Sequence, residues 1–258
     1  MSDPEDAFRL DGRLALVTGA YGEFGEHICA LMLDAGARVV VTGRDPRKRE
    51  AAIGRLAARG EVFGAPLDVT DEGSVVRCFE AAIERAGQTP DIVVNNAGTA
   101  VTKPLLEQSE DDWQRVVDTN LGGCWRVARE GARRLVEAGR GGTIVNIASI
   151  LGQRVAGGVA PYAIAKAGVV QMTCAMALEL ARYAIRVNAL LPGYVVTDLN
   201  REFLESEAGE KLRRRIPTRR FGRLEDLDGP LLLLASSAGG HMTGSTVTVD
   251  GGHLVGSL

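Results

Sequence analysis

Residues 13–25 read RLALVTGAYGEFG, running from Arg13 through Thr18 into Gly19, Gly22 and Gly25. The first six form a short apolar run of the kind that is buried as a strand. The next seven bring three glycines into a turn. Beyond them Ile28, Leu31, Met32 and Ala35 recur at helical spacing until Gly36 closes the helix. A strand, a glycine-rich turn and a helix in this order are the fingerprint of a dinucleotide loop. Glycine lets the backbone approach a pyrophosphate, and a helix N-terminus favours its negative charge. Gly19, Tyr21, Gly22, Phe24 and Gly25 are therefore expected to line a cofactor site. Without a ligand, the same residues would make a tight strand–helix turn.

The alternation continues outward from this stretch. Residues 38–42, 62–66, 91–95, 143–148, 185–190 and 246–249 are further apolar strand candidates, with Leu191-Pro192-Gly193 expected to break the sixth strand. Helices are expected from Pro46 to about 59, from 71 to about 86 behind a Thr70 cap, from 111 to about 138, near 202–215, and over 227–235. Ser109 and Asp112 have capping-box spacing at the start of the long third one. Strands that are apolar throughout and alternate with helices mean a parallel sheet covered on both faces. The expected fold is α/β: a three-layer α-β-α Rossmann fold with a doubly wound parallel sheet of about seven strands. No repeat, linker or low-complexity tract interrupts it, so residues 1–258 read as one domain.

Composition sets bounds on function. A net charge of −3 gives no overall pull toward nucleic acid or an anionic membrane. Residues 1–8 are acidic and polar rather than a leader, and no apolar run reaches the ~18 residues of a membrane span. Cys29, Cys78, Cys124 and Cys174 lack paired spacing and read as free thiols in a reducing cytoplasm. His27, His241 and His253 are far apart, and no metal site is expected.

The residues that suggest chemistry are Tyr162 and Lys166. Four apart on a helix they share a face, with Cβ atoms roughly 5–6 Å apart. A free phenol titrates near ~10, and bringing it to about 7 takes ~4 kcal/mol of differential interaction. A neighbouring ammonium works in that direction. A second positive charge, such as an oxidised nicotinamide ring, would supply the remainder. An ordinary amphipathic face would also place Tyr and Lys at this spacing.

Taken together, Thr18-Gly19 through Gly25, Asn95-Asn96-Ala97-Gly98, Asn120, Ser149, Tyr162-x-x-x-Lys166 and Pro192-Gly193 resemble, in order and spacing, the classical short-chain dehydrogenase/reductase family. The resemblance spans essentially the whole chain. It implies an NAD(P)-dependent oxidoreductase that moves a hydride between nicotinamide and a ketone or secondary alcohol. Tyr162 would exchange a proton with the substrate oxygen, Lys166 would tune it and bond the nicotinamide ribose, and Ser149 would polarise the carbonyl. Asn120 would anchor a water that connects Lys166 to solvent. Asp68 and Val69 would meet the adenine, and Asn96, Ala97 and Gly98 would line the cofactor. Pro192, Gly193 and Thr197 would lie along the nicotinamide. The resemblance further implies a homo-oligomer, commonly a tetramer. The branch it is most similar to holds 3-oxoacyl-carrier-protein reductases and gluconate or deoxygluconate dehydrogenases.

The glycine loop departs from the family's usual TGxxxGxG. It reads TGxxGxxG, with Glu23 where a glycine is usual. Near a pyrophosphate that carboxylate repels unless it points outward or bonds a ribose hydroxyl. A cofactor-binding protein with little turnover and an epimerase are the rival readings this spacing allows. At the end of the second strand, Gly43 stands where NAD-dependent members carry Asp, and Arg44 follows; a guanidinium suits a 2′-phosphate, so NADP(H) is favoured over NAD(H). Asp45 and Glu23 weigh the other way.

A small-molecule carbonyl or alcohol substrate would meet two loops. One follows Ser149 and carries Gln153 and Arg154. The other, near 194–223, carries Asp198, Leu199, Asn200 and Phe203, then the basic residues Lys211, Arg213, Arg214, Arg215, Arg219, Arg220 and Arg223. These basic residues could form an anion site, but Glu207 and Glu210 at i,i+4 spacing favour a solvated lid.

Overall fold

The computed structural model describes residues 6–198 and 200–256. Seven strands form one parallel sheet: β1 (Leu14–Val17), β2 (Arg38–Gly43), β3 (Val62–Pro66), β4 (Ile92–Asn95), β5 (Gly142–Ile147), β6 (Ile185–Pro192) and β7 (Thr246–Val249). Their order is β3-β2-β1-β4-β5-β6-β7, so the winding reverses between β1 and β4. In such a sheet ligands bind beyond the C-terminal ends of the strands at that reversal.

The helices are α1 (Glu23–Asp34), α2 (Pro46–Leu56), α3 (Glu72–Ala86), α4 (Glu110–Val117), α5 (Gly123–Glu137), α6 (Ala160–Leu180), α7 (Arg201–Glu205), α8 (Glu207–Arg213) and α9 (Asp228–Ala235). Successive strand residues serve opposite layers. Val17, Val39 and Val41 pack with Ile28 and Met32 of α1 and Leu231 and Leu234 of α9. Leu16, Val40 and Val93 pack with Phe79 of α3 and Val127 and Leu135 of α5. Both faces are buried along β1, β2, β4, β5 and β6, which is why those strands read as unbroken apolar runs, whereas β7 is exposed at alternate residues.

Several boundaries differ from the sequence expectation. Asp71, not Thr70, caps α3, its carboxylate accepting from the Gly73 amide at 2.8 Å. The Thr70 hydroxyl is already committed to Asp68, 2.7 Å away. The helix expected over 111–138 is α4 and α5 joined by a five-residue π turn, Asp118–Gly122. Its start is the expected capping box, with both Ser109–Asp112 bonds formed. The helix expected near 202–215 is split at Ser206, whose hydroxyl caps α8 through the Gly209 amide at 3.2 Å. β6 continues through Leu191 and Pro192 because β7 pairs with both.

Ala160–Tyr183 is long and apolar enough, by length and composition, to cross a membrane, contrary to the expectation that no such run exists; a third of its most apolar stretch is buried. Here it packs on β6 and α4 and carries the buried Lys166.

At the N-terminal edge of the sheet, away from the winding reversal's C-terminal crevice, a cleft of about 250 Å³ is lined by Arg13, Asp91, Arg186 and Ser236 among others. The buried Asp91 carboxylate accepts from the Leu14 amide at 2.9 Å, Arg13 Nε at 2.6 Å and Arg140 Nη2 at 3.2 Å.

Candidate active site

β1 delivers Thr18 and Gly19 to the crevice. Thr18 Oγ1 accepts from the amides of Asn96 and Ala97, both at 2.9 Å, which fixes the segment after β4 against the glycine loop. Asn96 Nδ2 donates back to the carbonyls of Thr18 and Gly19 at 3.0 and 3.3 Å. Any Cβ at Gly25 would lie 2.2 Å from the Gly19 carbonyl oxygen, so the first turn of α1 can approach the loop this closely only without a side chain. Gly22 is the N-cap of α1 and brings no side-chain cap, leaving the first-turn amides open. A pyrophosphate fits this bare, glycine-lined helix start. Phe24 packs inward against the core.

Glu23 is the exception to that fit. Its carboxylate reaches across the crevice and accepts from the Asp198 amide at 2.5 Å. The side chain thus points at the segment after β6 and joins two segments 175 residues apart.

The end of β2 is shaped by Tyr21. A Cβ on Gly43 would lie 2.0 Å from the Tyr21 ring, so the ring covers the position where an acidic residue would stand. Tyr21 Oη accepts from the Asp45 amide at 3.4 Å. Asp45 is spent as the α2 cap, accepting from the amides of Arg47 and Lys48 at 2.9 and 3.1 Å. The Arg44 side chain is 74% exposed, and its nearest carboxylate, Asp68, is 3.9 Å away. Asp68 holds a turn, its Oδ1 accepting from the Thr70 amide at 3.0 Å. Partial burial opposes its ionisation, but the Thr70 bonds and the charge of Arg44 prevail and hold the carboxyl below its usual range. Val69 is buried against Gly123.

Asn120 lies in the π turn and is buried. Its amide accepts from Thr99 N at 2.7 Å and donates to Thr99 O at 2.8 Å, so both ends are committed to the chain just past Gly98. Among the described residues its side chain makes no bond to Lys166, and it acts here as a brace for the 98–99 segment.

β5 and α6 bring the remaining set together. Ser149 follows β5, is buried, and its Oγ accepts from the Leu151 amide at 3.1 Å, which leaves the hydroxyl proton free to be donated. Lys166 is 5% exposed, donates from Nζ to the Ile147 carbonyl at 2.6 Å, and lies 5.6 Å from the Tyr162 ring centroid. No carboxylate pairs with it among the described residues. A buried ammonium between a peptide carbonyl and a phenol, with a hydroxyl donor nearby, can handle a proton at a polarised oxygen.

Pro192 ends β6, and the Gly193 amide donates to the Val249 carbonyl at 2.9 Å. Thr197 sits in a turn pinned by Asn200, whose amide side chain bonds Thr197 N and Val195 O, each at 2.9 Å. Leu199 lies outside the described residues. Four of the seven basic residues are paired from within: Glu207 pairs with Lys211, Glu210 with Arg213 and Arg214, and Asp226 with Arg220. The two arginine bonds hold the Glu210 carboxyl down to about 2.

Sequence reasoning missed Tyr194 and His253. Their rings lie 5.7 Å apart, centroid to centroid. Burial, and then the neighbouring Tyr162, raise the Tyr194 phenol above its ordinary range. The signal available in sequence was an aromatic directly after Pro192-Gly193 and a histidine directly after Gly251-Gly252.

Comparison with known proteins bears on this geometry. A family profile described as enoyl-(acyl carrier protein) reductase matches residues 19–253. The chain is 37% identical, over 94% of its length and 97% of the relative, to the 3-oxoacyl-(acyl-carrier-protein) reductase FabG of Chlamydia pneumoniae. A short-chain type dehydrogenase/reductase of Mycobacterium marinum superposes with a TM-score of 0.90 at 36% identity, over 96% of this chain and 98% of that one. A gluconate 5-dehydrogenase of Burkholderia cenocepacia, crystallised with NADP and tartrate, superposes with a TM-score of 0.94 at 34% identity, over 99% and 100%.

Proposed function

The chain belongs to the short-chain dehydrogenase/reductase family, as an NAD(P)-dependent oxidoreductase of small alcohol and ketone substrates, and we propose that Tyr162, Lys166 and Ser149 are the residues that carry its reaction. The observation behind this assignment is Lys166, buried without a carboxylate and set 5.6 Å from the Tyr162 ring. Burying an unpaired ammonium is costly, and a role beside the reacting groups accounts for keeping it.

In this reading Tyr162 gives a proton to, or takes one from, the substrate oxygen. Ser149 donates a hydrogen bond to the same oxygen and polarises it. Lys166, held by the Ile147 carbonyl, sets a positive charge beside the Tyr162 ring and would bond the nicotinamide ribose. Asn120 keeps the 98–99 segment in place. A bound nicotinamide cofactor supplies the hydride chemistry. Gly19, Gly22 and Gly25 would hold its pyrophosphate, Asp68 and Val69 its adenine, Asn96 to Gly98 its ribose side, and Pro192, Gly193 and Thr197 its nicotinamide end. We take the chain as one domain on one sheet, with 194–223 as the substrate loop. The four cysteines, all free thiols, support a cytoplasmic setting.

NADP(H) is favoured over NAD(H). The exposed Arg44 guanidinium is available to a 2′-phosphate, and Tyr21 covers the one position where an acidic selector would stand. Fluorescence titration is expected to show NADPH binding at least tenfold tighter than NADH, or about 1.4 kcal/mol. Arg44→Ala should erase most of that gap. Equal affinities in the wild-type protein would overturn the assignment.

Trp113 of α4, Trp125 of α5, and Ile164 and Leu178 of α6 all present apolar surface to solvent. Apolar area on three adjoining elements supports a homo-oligomer, a tetramer being the family's common form. Sedimentation equilibrium should return a multiple of 27.4 kDa; a monomer at micromolar concentration would refute it.

Among the substrate types named for relatives, a small acid is favoured over an acidic carrier protein. Glu207, Glu210 and Asp226 already pair with four of the seven basic residues that a carrier protein would dock on.

A further inference from the structure

We propose that Arg154 and His253 form a subsite for the carboxylate of a small hydroxy- or oxo-acid substrate. The inference rests on the oxidoreductase reading above and assigns the end of the substrate that does not react.

Arg154 lies five residues past Ser149, on the turn that leads toward Tyr162. Its backbone amide is tied to the Ile150 carbonyl at 2.9 Å, so the turn places it firmly. Its guanidinium is half-buried and donates from Nη1 to the His253 carbonyl. Among the described residues it has no carboxylate partner, and its Nε and Nη2 make no hydrogen bond. A half-buried guanidinium with open donors is an incomplete arrangement, because such a group is normally matched by an anion or by carbonyls.

His253 supplies the second, independent observation. It is 6% exposed, and its Nδ1 is buried with no hydrogen-bond partner. A buried polar atom left without a partner is costly. The imidazole rests against Tyr194, which follows Pro192-Gly193 on the loop expected to flank the nicotinamide. Burial and the charges of Arg154 and Arg215 disfavour its protonated form, and Asp250 opposes them. The Asp250 carboxylate is itself occupied by the amides of Gly252 and Leu254.

Three segments therefore converge, the turn after Ser149, the start of the substrate loop and the chain after β7, and Tyr194 of the second neighbours Tyr162. They bring one open cation and one unsatisfied imidazole nitrogen. A guanidinium reads a carboxylate through two parallel bonds, and a single open guanidinium matches one negative charge better than two. A neutral alcohol or an extended acyl chain would leave the cation without a partner.

The test uses the full-length protein saturated with whichever nicotinamide cofactor it binds. Two probe pairs are titrated by calorimetry: D-gluconate against D-glucitol, and 3-hydroxybutyrate against its methyl ester. Each pair differs only at the acid group. At least one acid should bind tenfold or more tightly than its neutral partner. Arg154→Leu should close that gap, and Arg154→Lys should restore part of it. His253→Phe should raise the KM for the acid more than it lowers kcat. Cofactor affinity in each variant reports that the fold is intact. The proposal is overturned if no acid outbinds its partner, or if Arg154→Leu weakens acid and neutral probe alike. Failure of the oxidoreductase reading looks different: acid binding would persist while Tyr162→Phe left turnover unchanged.

Discussion

Tyr162→Phe is expected to lower turnover by about 10²–10⁴-fold, the range lost when a positioned general acid or base is removed, while NADPH affinity stays within about twofold of wild type. The substitution deletes one oxygen and keeps the ring. The helix stays intact, as does the position of Lys166, whose Nζ is anchored by the Ile147 carbonyl rather than by the phenol. Ser149 keeps its bond from Leu151. Only the proton carrier at the substrate oxygen is missing, so steady-state kinetics and cofactor fluorescence should separate. A variant retaining more than a tenth of wild-type turnover would show that the proton passes through another group. Tyr194 is then the group to examine, since burial, and then the neighbouring Tyr162, raise its phenol above the ordinary range.

Asp91→Ala is expected to cost about 3–5 kcal/mol of stability, as removal of one partner from a buried ion pair generally does. The carboxylate is 3% exposed and serves the Leu14 amide, Arg13 and Arg140 at once. Its loss would leave Arg13 facing Arg186 without an anion between them. Burial and the Arg13 charge already press Arg186 toward its neutral form. Urea denaturation is the measurement. Asp91→Asn, which retains an acceptor for Leu14, should lose less than the alanine variant. A loss under about 1 kcal/mol for alanine would mean that water entering the cleft replaces the carboxylate.

The sequence legibility of this molecule follows the range over which each feature is built. The strand, glycine turn and α1 are contiguous, so residues 13–36 disclose them directly. The Tyr162–Lys166 pair is one helical turn and is equally plain. Ser149 and the Asn95–Gly98 motif could be placed because strands end where their apolar runs end. Asn120 was identified as a functional position, but its bonds to Thr99 depend on a π turn that no local pattern announces. Thr70 and Asp71 are both good caps, and only the competing bond from Thr70 to Asp68 decides between them. Glu23 could be flagged as unusual, yet its partner lies 175 residues away. Arg154 and His253 are separated by 99 residues and meet through a carbonyl, which leaves no trace in composition or spacing. What escaped the sequence was assembled from distant segments.

The strand order also has a consequence for how the protein is made. β1 is flanked by β2 on one side and β4 on the other, and β4 begins only at Ile92. A ribosome adds about 5–20 residues per second, so for roughly 4–15 s the nascent chain holds β1 with one edge unpaired. During that interval Leu14, Leu16 and Val40 have no α5 to cover them, and Arg13 waits for Asp91. A growing chain shorter than about 95 residues therefore carries an open, apolar sheet edge, the surface on which nascent chains stick to one another. Arrival of residues 91–95 closes that edge and delivers the Arg13 counter-charge in the same step. The strand that leads into the glycine loop is thus the last of the first three to be finished, and its completion is a timed event in synthesis.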